Sequence, residues 1–352
     1  MQSSVEVLRG DVPGTEYRFK VLRFGPADIA GPSAYLQAAL HGDELPGVAA
    51  LHYLIPRLKL AEREGRLAGR VTVVPFANPI GSGQVFFGEH LGRFAFGSRT
   101  NFNRDFPLLP SDDTSGLPGD EAPLPVEKRL KARLVKLALG HDLVLDLHCD
   151  SEGLSYLYIP KPLWPHMADL ASCLGSEAVL VWDGGSDGAF EEAALSPLVS
   201  LPQDSPEWAR RAVTTVEFRG QVDVAPETAE ADADGLYRFL VARGTIVDAA
   251  VAPPAPYAGL AVPLENVEMT YAPTGGAILY HVRPGDRVRA GDLLCEILTA
   301  PGEPGGAHEV RAAQDGLILT RRSHRMTTPG DDLLKLLGTR RSTTAKPGAL
   351  ES

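Results

Sequence analysis

The sequence predicts an α/β fold, a mostly parallel mixed sheet flanked by helices, followed by a smaller all-β domain. Three observations carry that prediction. Through the first two thirds of the chain, short apolar runs rich in Val, Leu and Ala show little polar alternation, as expected for strands covered on both faces. Between them lie segments of helical spacing that end near Gly. A Pro-rich stretch, "VAPPAPYAG" at 251–259, then separates this region from short β-like runs punctuated by turn residues.

Taken in order, "AYLQAAL" (34–40), "RVTVVPFANP" (70–79), "HDLVLDLHCD" (141–150), "EAVLVWDGG" (177–185) and "AVTTVEFRG" (212–220) read as buried strands. Helical spacing marks 45–65, 125–140 and 229–244, and the alternation of the two patterns implies a parallel sheet with helices on both sides. Asp43 is placed to cap a helix beginning near Glu44. Residues 80–122 differ, being rich in Gly, Phe, Asn and Pro with no sustained period, and long connections of this kind are often functional. Beyond the linker, "GGAILYHV", "DLLCEILTA" and "EVRAAQDGLILTRR" are the β-like runs of the second domain. The expected division is residues 1–252, then 259–338, then a polar and disordered tail at 339–352.

At 352 residues the chain is long enough for two domains, and 44% hydrophobic with 22% charged residues describes an ordinary globular protein. Its 34 basic and 45 acidic residues leave a net charge of −11, which argues against a nucleic-acid or anionic-membrane partner. An anionic substrate must therefore be drawn in by local Arg or a metal. The three cysteines, Cys149, Cys173 and Cys295, form no even framework and no C-x-x-C, which points to a reducing, cytoplasmic setting. The first residues, "MQSSVEVLRGDVPGTEY", lack the basic-then-apolar order of a signal peptide, and no apolar run approaches transmembrane length.

Chemistry is concentrated where the expected strands end, the place where open parallel sheets bind ligands. "AALHGDELPGVAAL" (38–51) halts an apolar run at His41, Gly42, Asp43 and Glu44. His148 follows "LVLDL", and Glu217 closes "AVTTV". Each is explicable alone as a cap, a half-buried histidine or a salt bridge, the last between Glu217 and Arg219. Together His41, Glu44 and His148 make the His, Glu, His set of open catalytic zinc sites, which leave a position for water. A base must still take the proton of that water, and Glu217 is the candidate, with Asp150 and Glu152 weaker ones in an adjoining turn. The loop "GRFAFGSRTNFNRDFP" (92–107) adds Arg93, Arg99, Asn103 and Arg104, whose guanidinium forks suit a carboxylate or an oxyanion.

These residues resemble the succinylglutamate desuccinylase/aspartoacylase family of zinc carboxypeptidase-like hydrolases. The motifs that carry the resemblance are "HGDE", "NFNRDFP", "LVLDLHCD" and "TVEF", in that order, across roughly residues 33–220. The resemblance implies a zinc carboxypeptidase-like fold and one Zn²⁺ per subunit held by His41, Glu44 and His148. It also implies that Glu217 is the general base that returns the proton to the leaving nitrogen. Asn103 and Arg104 match the family's Asn-Arg pair, which holds the substrate carboxylate or polarises its carbonyl. Arg93 matches the upstream arginine, at a longer spacing to Asn103 than in the named enzymes, which leaves Arg99 as the alternative. The stretch "YAPTGGAILYHVRPGDRVRAGDLLCEI" also resembles a biotinyl/lipoyl-type barrel. The segment that would display its modified lysine, "TAPGEPGGAHEV", contains none, so a structural wall or a contact between subunits of a homo-oligomer is expected instead.

The expected activity is hydrolysis of a linear amide, the deacylation of a small N-acyl amino acid or related acylated amine. A metallocarboxypeptidase trimming peptide C-termini is the alternative, disfavoured by the short span from His148 to Glu217 and by a C-terminal module that would narrow the cleft. A non-catalytic metal-binding protein is more remote, because ligands, base and arginines are all present.

Overall fold

The computed structural model describes residues 1–345 except 27, 29, 184–186 and 203. An antiparallel hairpin opens the chain, β1 (Gln2–Arg9) and β2 (Glu16–Phe24). β3 (Ala34–Ala38) and β4 (Val71–Val74) are buried at every residue and are joined by α1 (Pro46–Arg63). The short helix α2 (Pro79–Ser82), capped by the Asn78 side chain, leads to a small hairpin, β5 (Val85–Phe86) and β6 (Glu89–His90). After a long loop come α3 (Val126–Ala138), β7 (Leu143–Asp150), β8 (Glu152–Gly153), β9 (Tyr156–Pro160) and α4 (Ala168–Leu174). Then follow β10 (Ala178–Trp182), α5 (Phe190–Leu195), β11 (Ala212–Gly220), α6 (Pro226–Ala242) and β12 (Leu260–Pro263).

Nine strands form one sheet in the order β1-β2-β4-β3-β7-β11-β9-β10-β12. β4, β3, β7 and β11 run parallel, as do β9, β10 and β12, whereas the hairpin, β2 with β4, and β9 with β11 are antiparallel. The central strands lack polar alternation because both of their faces are covered. α1 and α4 pack on α6, while α3 packs on α5, and the helices flank the sheet. The chain leaves β3 towards β4 on one side and returns to β7 on the other, so the crevice at the carboxyl ends of β3 and β7 is the topological switch point.

The C-terminal strands are β13 (Val267–Tyr271), β14 (Gly276–Tyr280), β15 (Arg287–Val288), β16 (Leu293–Leu298), β17 (Ala307–Arg311), β18 (Gly316–Arg321), β19 (Met326–Thr327) and β20 (Asp332–Gly338). They form two antiparallel sheets, β13-β20-β18-β15 and β17-β16-β14-β19. β8, from beside the crevice, pairs with β18, and an apolar cluster of Tyr156, Leu180, Val267, Leu319 and Leu337 joins this region to the edge of the large sheet.

The structure departs from the sequence expectations in three places. Residues 260–263 extend the large sheet as β12, because Leu260 and Val262 pack on that edge instead of pairing with the C-terminal strands. The first long helix begins at Pro46, not near Glu44, and Asp43 does not cap it. Proline at the first helical position sets φ for the helix, and residues 41–44 close a turn in which Glu44 N donates to His41 O. Of the expected disordered tail, residues 339–345 carry an ordered turn, with buried Ser342 donating through its N–H to Glu265 O, while 346–352 lie outside the described residues.

Candidate active site

Three adjacent strands deliver the candidate residues. β3 ends at Ala38, and the next residue, Ala39, takes the left-handed conformation, φ 56°, although fully buried, which turns the chain out of the sheet just before His41. Gly42 then passes so close to α2 that a Cβ would lie 2.3 Å from the Gly81 carbonyl carbon. Its N–H donates to Gly92 O at 3.0 Å, which ties Arg93 to the same spot. His148 sits in β7 directly opposite Glu217 of β11. The ladder is bulged between Glu217 and Gly220, with Arg219 at φ 57°, the kind of irregularity that re-aims a side chain at a strand end.

His41, Glu44 and His148 come together, all buried, with their ligand atoms within 4.8 Å of one another. His41 Nδ1 lies 2.7 Å from Glu44 Oε1, and His148 Nδ1 lies 2.7 Å from Glu44 Oε2. The opposite ring nitrogens are committed elsewhere. Asn101 Oδ1 accepts from the Asn103 N–H at 2.8 Å, which identifies that atom as the acceptor, so His41 Nε2, also 2.8 Å away, must be the donor. His148 Nε2 donates to the Asp146 carboxylate at 2.8 Å, and Asp146 accepts from Gln37, whose own carbonyl accepts from Tyr35.

With both Nε2 atoms protonated, each Nδ1 turns a lone pair towards a carboxylate oxygen. Lone pairs do not face each other at 2.7 Å in a buried site unless something positive lies between. Two protons would place two imidazoliums with ring centroids 4.9 Å apart beside Arg93, whose Nη1 is 3.6 Å from Glu44 Oε1. Burial lowers the His41 pKa, whereas at His148 the effect of burial is outweighed by the Asp146 and Glu44 carboxylates, which raise its pKa, so a proton on His148 is accommodated and one on His41 Nδ1 is opposed. A divalent cation meets the same demand with one charge centre, and two imidazoles and a carboxylate are donors suited to zinc. The residues fit a metal.

Glu217 is half-buried, its Oε2 is enclosed, and among the described residues no hydrogen-bond partner is found for that atom. Burial, and next the Glu44 charge, push its carboxyl up to about 8. The alternative reading, a salt bridge to Arg219, is not formed, since Arg219 turns to Asp232 of α6. The weaker candidates are occupied. Asp150 pairs with buried Lys335 at 2.6 Å and accepts from Tyr156, while Glu152 is held between Arg321 and Arg325. Of the two alternatives for the upstream arginine, Arg93 reaches the cluster and Arg99 is exposed. Asn103 is buried with its Oδ1 accepting from Phe190 N at the start of α5. Arg104 pairs through Nε with Asp187 at 2.8 Å.

Asn101 and Asp146 are the residues that sequence reasoning missed. Asp146 had a legible signal, a carboxylate in an otherwise apolar strand, two residues from His148 and so on the same face. Asp146→Asn is expected to weaken metal affinity about 10–100-fold, measured by competition with a chromogenic chelator, because the amide no longer holds the His148 proton at Nε2. An unchanged affinity would show that the ring is held by packing alone.

A family model described as the succinylglutamate desuccinylase/aspartoacylase catalytic domain matches residues 30–243, and the chain belongs to that family. It is 24% identical over 311 residues to the N-alpha-acetyl-L-2,4-diaminobutyric acid deacetylase of Halomonas elongata, covering 86% of this chain and 81% of that one. The crystal structure of a succinylglutamate desuccinylase/aspartoacylase family protein from Shewanella amazonensis is 25% identical and superposes with a TM-score of 0.85 over 96% of this chain and 99% of that one. The product-bound structure of the ectoine utilization protein EutE (DoeB) from Ruegeria pomeroyi, 19% identical, shares the fold with a TM-score of 0.68 over 95% of each chain.

Proposed function

We propose that this chain is a zinc-dependent amidohydrolase that removes the acyl group from a small N-acyl amino acid or related acylated amine. The observation that carries the proposal is the pair of imidazole lone pairs turned onto one buried carboxylate, with Glu217 on the next strand, whose Oε2 finds no hydrogen-bond partner among the described residues. Membership of a family of deacylating hydrolases supports it. His41, Glu44 and His148 would hold the ion, which when bound supplies Lewis acidity to a carbonyl and acidifies water. Glu217 takes the proton from the attacking water and passes it to the leaving nitrogen. Arg93, beside Glu44, faces the developing negative charge on the carbonyl oxygen. Asn103 and Arg104 form the substrate-binding part of the loop, with Asp187 holding the Arg104 fork in orientation.

Catalysis belongs to residues 1–252 in this proposal, and of 259–338 the strands from β13 onward form a biotinyl/lipoyl-type barrel recast as a wall of the cleft. The Lys335–Asp150 pair and the grip of Arg321 and Arg325 on Glu152 support a fixed wall over a swinging arm. The protein works in the cytoplasm, where its three buried cysteines stay as free thiols. Among the described residues no helix is long and apolar enough to cross a membrane.

A hydrolysis screen of N-acyl amino acids, their uncharged amides and short peptides on metal-replete protein tests the proposal. Turnover of peptides in preference to N-acyl amino acids would replace it with a carboxypeptidase. With the best substrate in hand, Arg104→Lys keeps the charge and loses the fork, and kcat/KM should fall by about one to two orders of magnitude, since a charge-assisted hydrogen bond contributes roughly 1.5–3 kcal/mol. The amide analogue should respond little to the same change. Equal losses for acid and amide would remove carboxylate recognition from Arg104.

A further inference from the structure

Helix α3 carries an apolar stripe of Leu134, Val135 and Ala138, and the residue that continues the stripe one turn earlier is Lys131. It is among the largest fully buried side chains of the protein, at 1% exposure. A lysine in such a position must have its donors satisfied. Its Nζ donates to Asn101 O at 3.0 Å and to Arg104 O at 2.7 Å, and it lies 5.7 Å from the centre of the Phe106 ring. The loop 101–106 is thus wrapped around one ammonium group. Both carbonyls belong to residues of the site. The Asn101 side chain accepts from His41 Nε2, and Arg104 carries the guanidinium held by Asp187. The same loop contains Asp105 in the left-handed conformation, φ 54°, which needs support from its surroundings to persist.

We propose that Lys131 is a positioning residue that fixes the 101–104 backbone from behind, and so sets both the His41 tautomer and the placing of Arg104. Nothing in the proposed chemistry requires an amine here, and Lys131 acts only through these two neighbours. The proposal rests on the reading of the cluster as a metal-dependent deacylase site. Its first measurement, however, needs neither metal nor substrate.

Lys131→Met removes both donations while keeping length and burial, and Lys131→Gln restores an N–H₂ donor without charge. Leu134→Ala loosens the same helix without touching the loop. Hydrogen exchange at the Asn103 and Phe106 amides should quicken by at least about tenfold in Lys131→Met, by less in Lys131→Gln, and stay near wild type in Leu134→Ala. In metal-loaded protein a chelator should strip Lys131→Met about tenfold faster than wild type, the lower end of what loss of a ligand-orienting contact does. KM for a carboxylate-bearing substrate should rise more than kcat falls. Wild-type exchange in Lys131→Met, or equal quickening in Leu134→Ala, would overturn the proposal. A chain that binds no metal would sink the deacylase reading while the exchange experiment still decides the role of Lys131.

Discussion

Glu217→Gln is expected to retain its metal and to lose activity by about 10²–10⁴-fold in kcat, the usual contribution of a general base. Gln is close to isosteric and occupies the same place opposite His148, but it cannot take a proton from water. The position suits a base because Glu217 stands opposite His148 just before the bulge in β11, with one carboxylate oxygen enclosed and without a hydrogen-bond partner among the described residues. Burial and the Glu44 charge hold its carboxyl up at about 8, and a cation between His41, Glu44 and His148 would offset the second of these and draw it down. Metal content by elemental analysis and kcat on one substrate are the two measurements. Activity within a few-fold of wild type would end the assignment. Asp150 and Glu152 would then be poor replacements, being bound to Lys335 and to Arg321 and Arg325.

His148→Ala is expected to drop the metal below stoichiometric occupancy after dialysis, and to abolish turnover with it. The change removes one of the three donors found among the described residues and leaves Asp146 buried with a hydrogen-bond partner lost. Its effect on metal affinity should exceed the roughly 10–100-fold expected of Asp146→Asn, which disturbs the ring without deleting it. Elemental analysis beside a thermal melt separates loss of metal from loss of fold. Full zinc occupancy in a folded His148→Ala protein would strike His148 from the ligands.

The sequence by itself determined the class of fold, because strands covered on both faces show little polar alternation, and β3 and β4 show that directly as largely apolar runs with a single polar residue each. It also marked candidate residues for a site, since polar groups at the ends of such strands are costly unless the structure opens there. His41, Glu44 and His148 are legible on that ground, and the structure brings them together. It could not place β12, four residues whose partner strand lies some eighty positions earlier and whose pairing is settled by packing on the sheet edge. Nor could it choose between Arg93 and Arg99, because that depends on one backbone contact, Gly42 N to Gly92 O, between segments about fifty residues apart. The tautomers of the two histidines were likewise beyond it. They follow from Asn101 and Asp146, which local sequence presents as one loop amide among several and one acid within a strand. Periodicity and composition record how each residue meets solvent, and so they reveal burial. Which atom faces which is decided only when distant segments close on one another, and the lone pairs that call for a cation exist only after that closure.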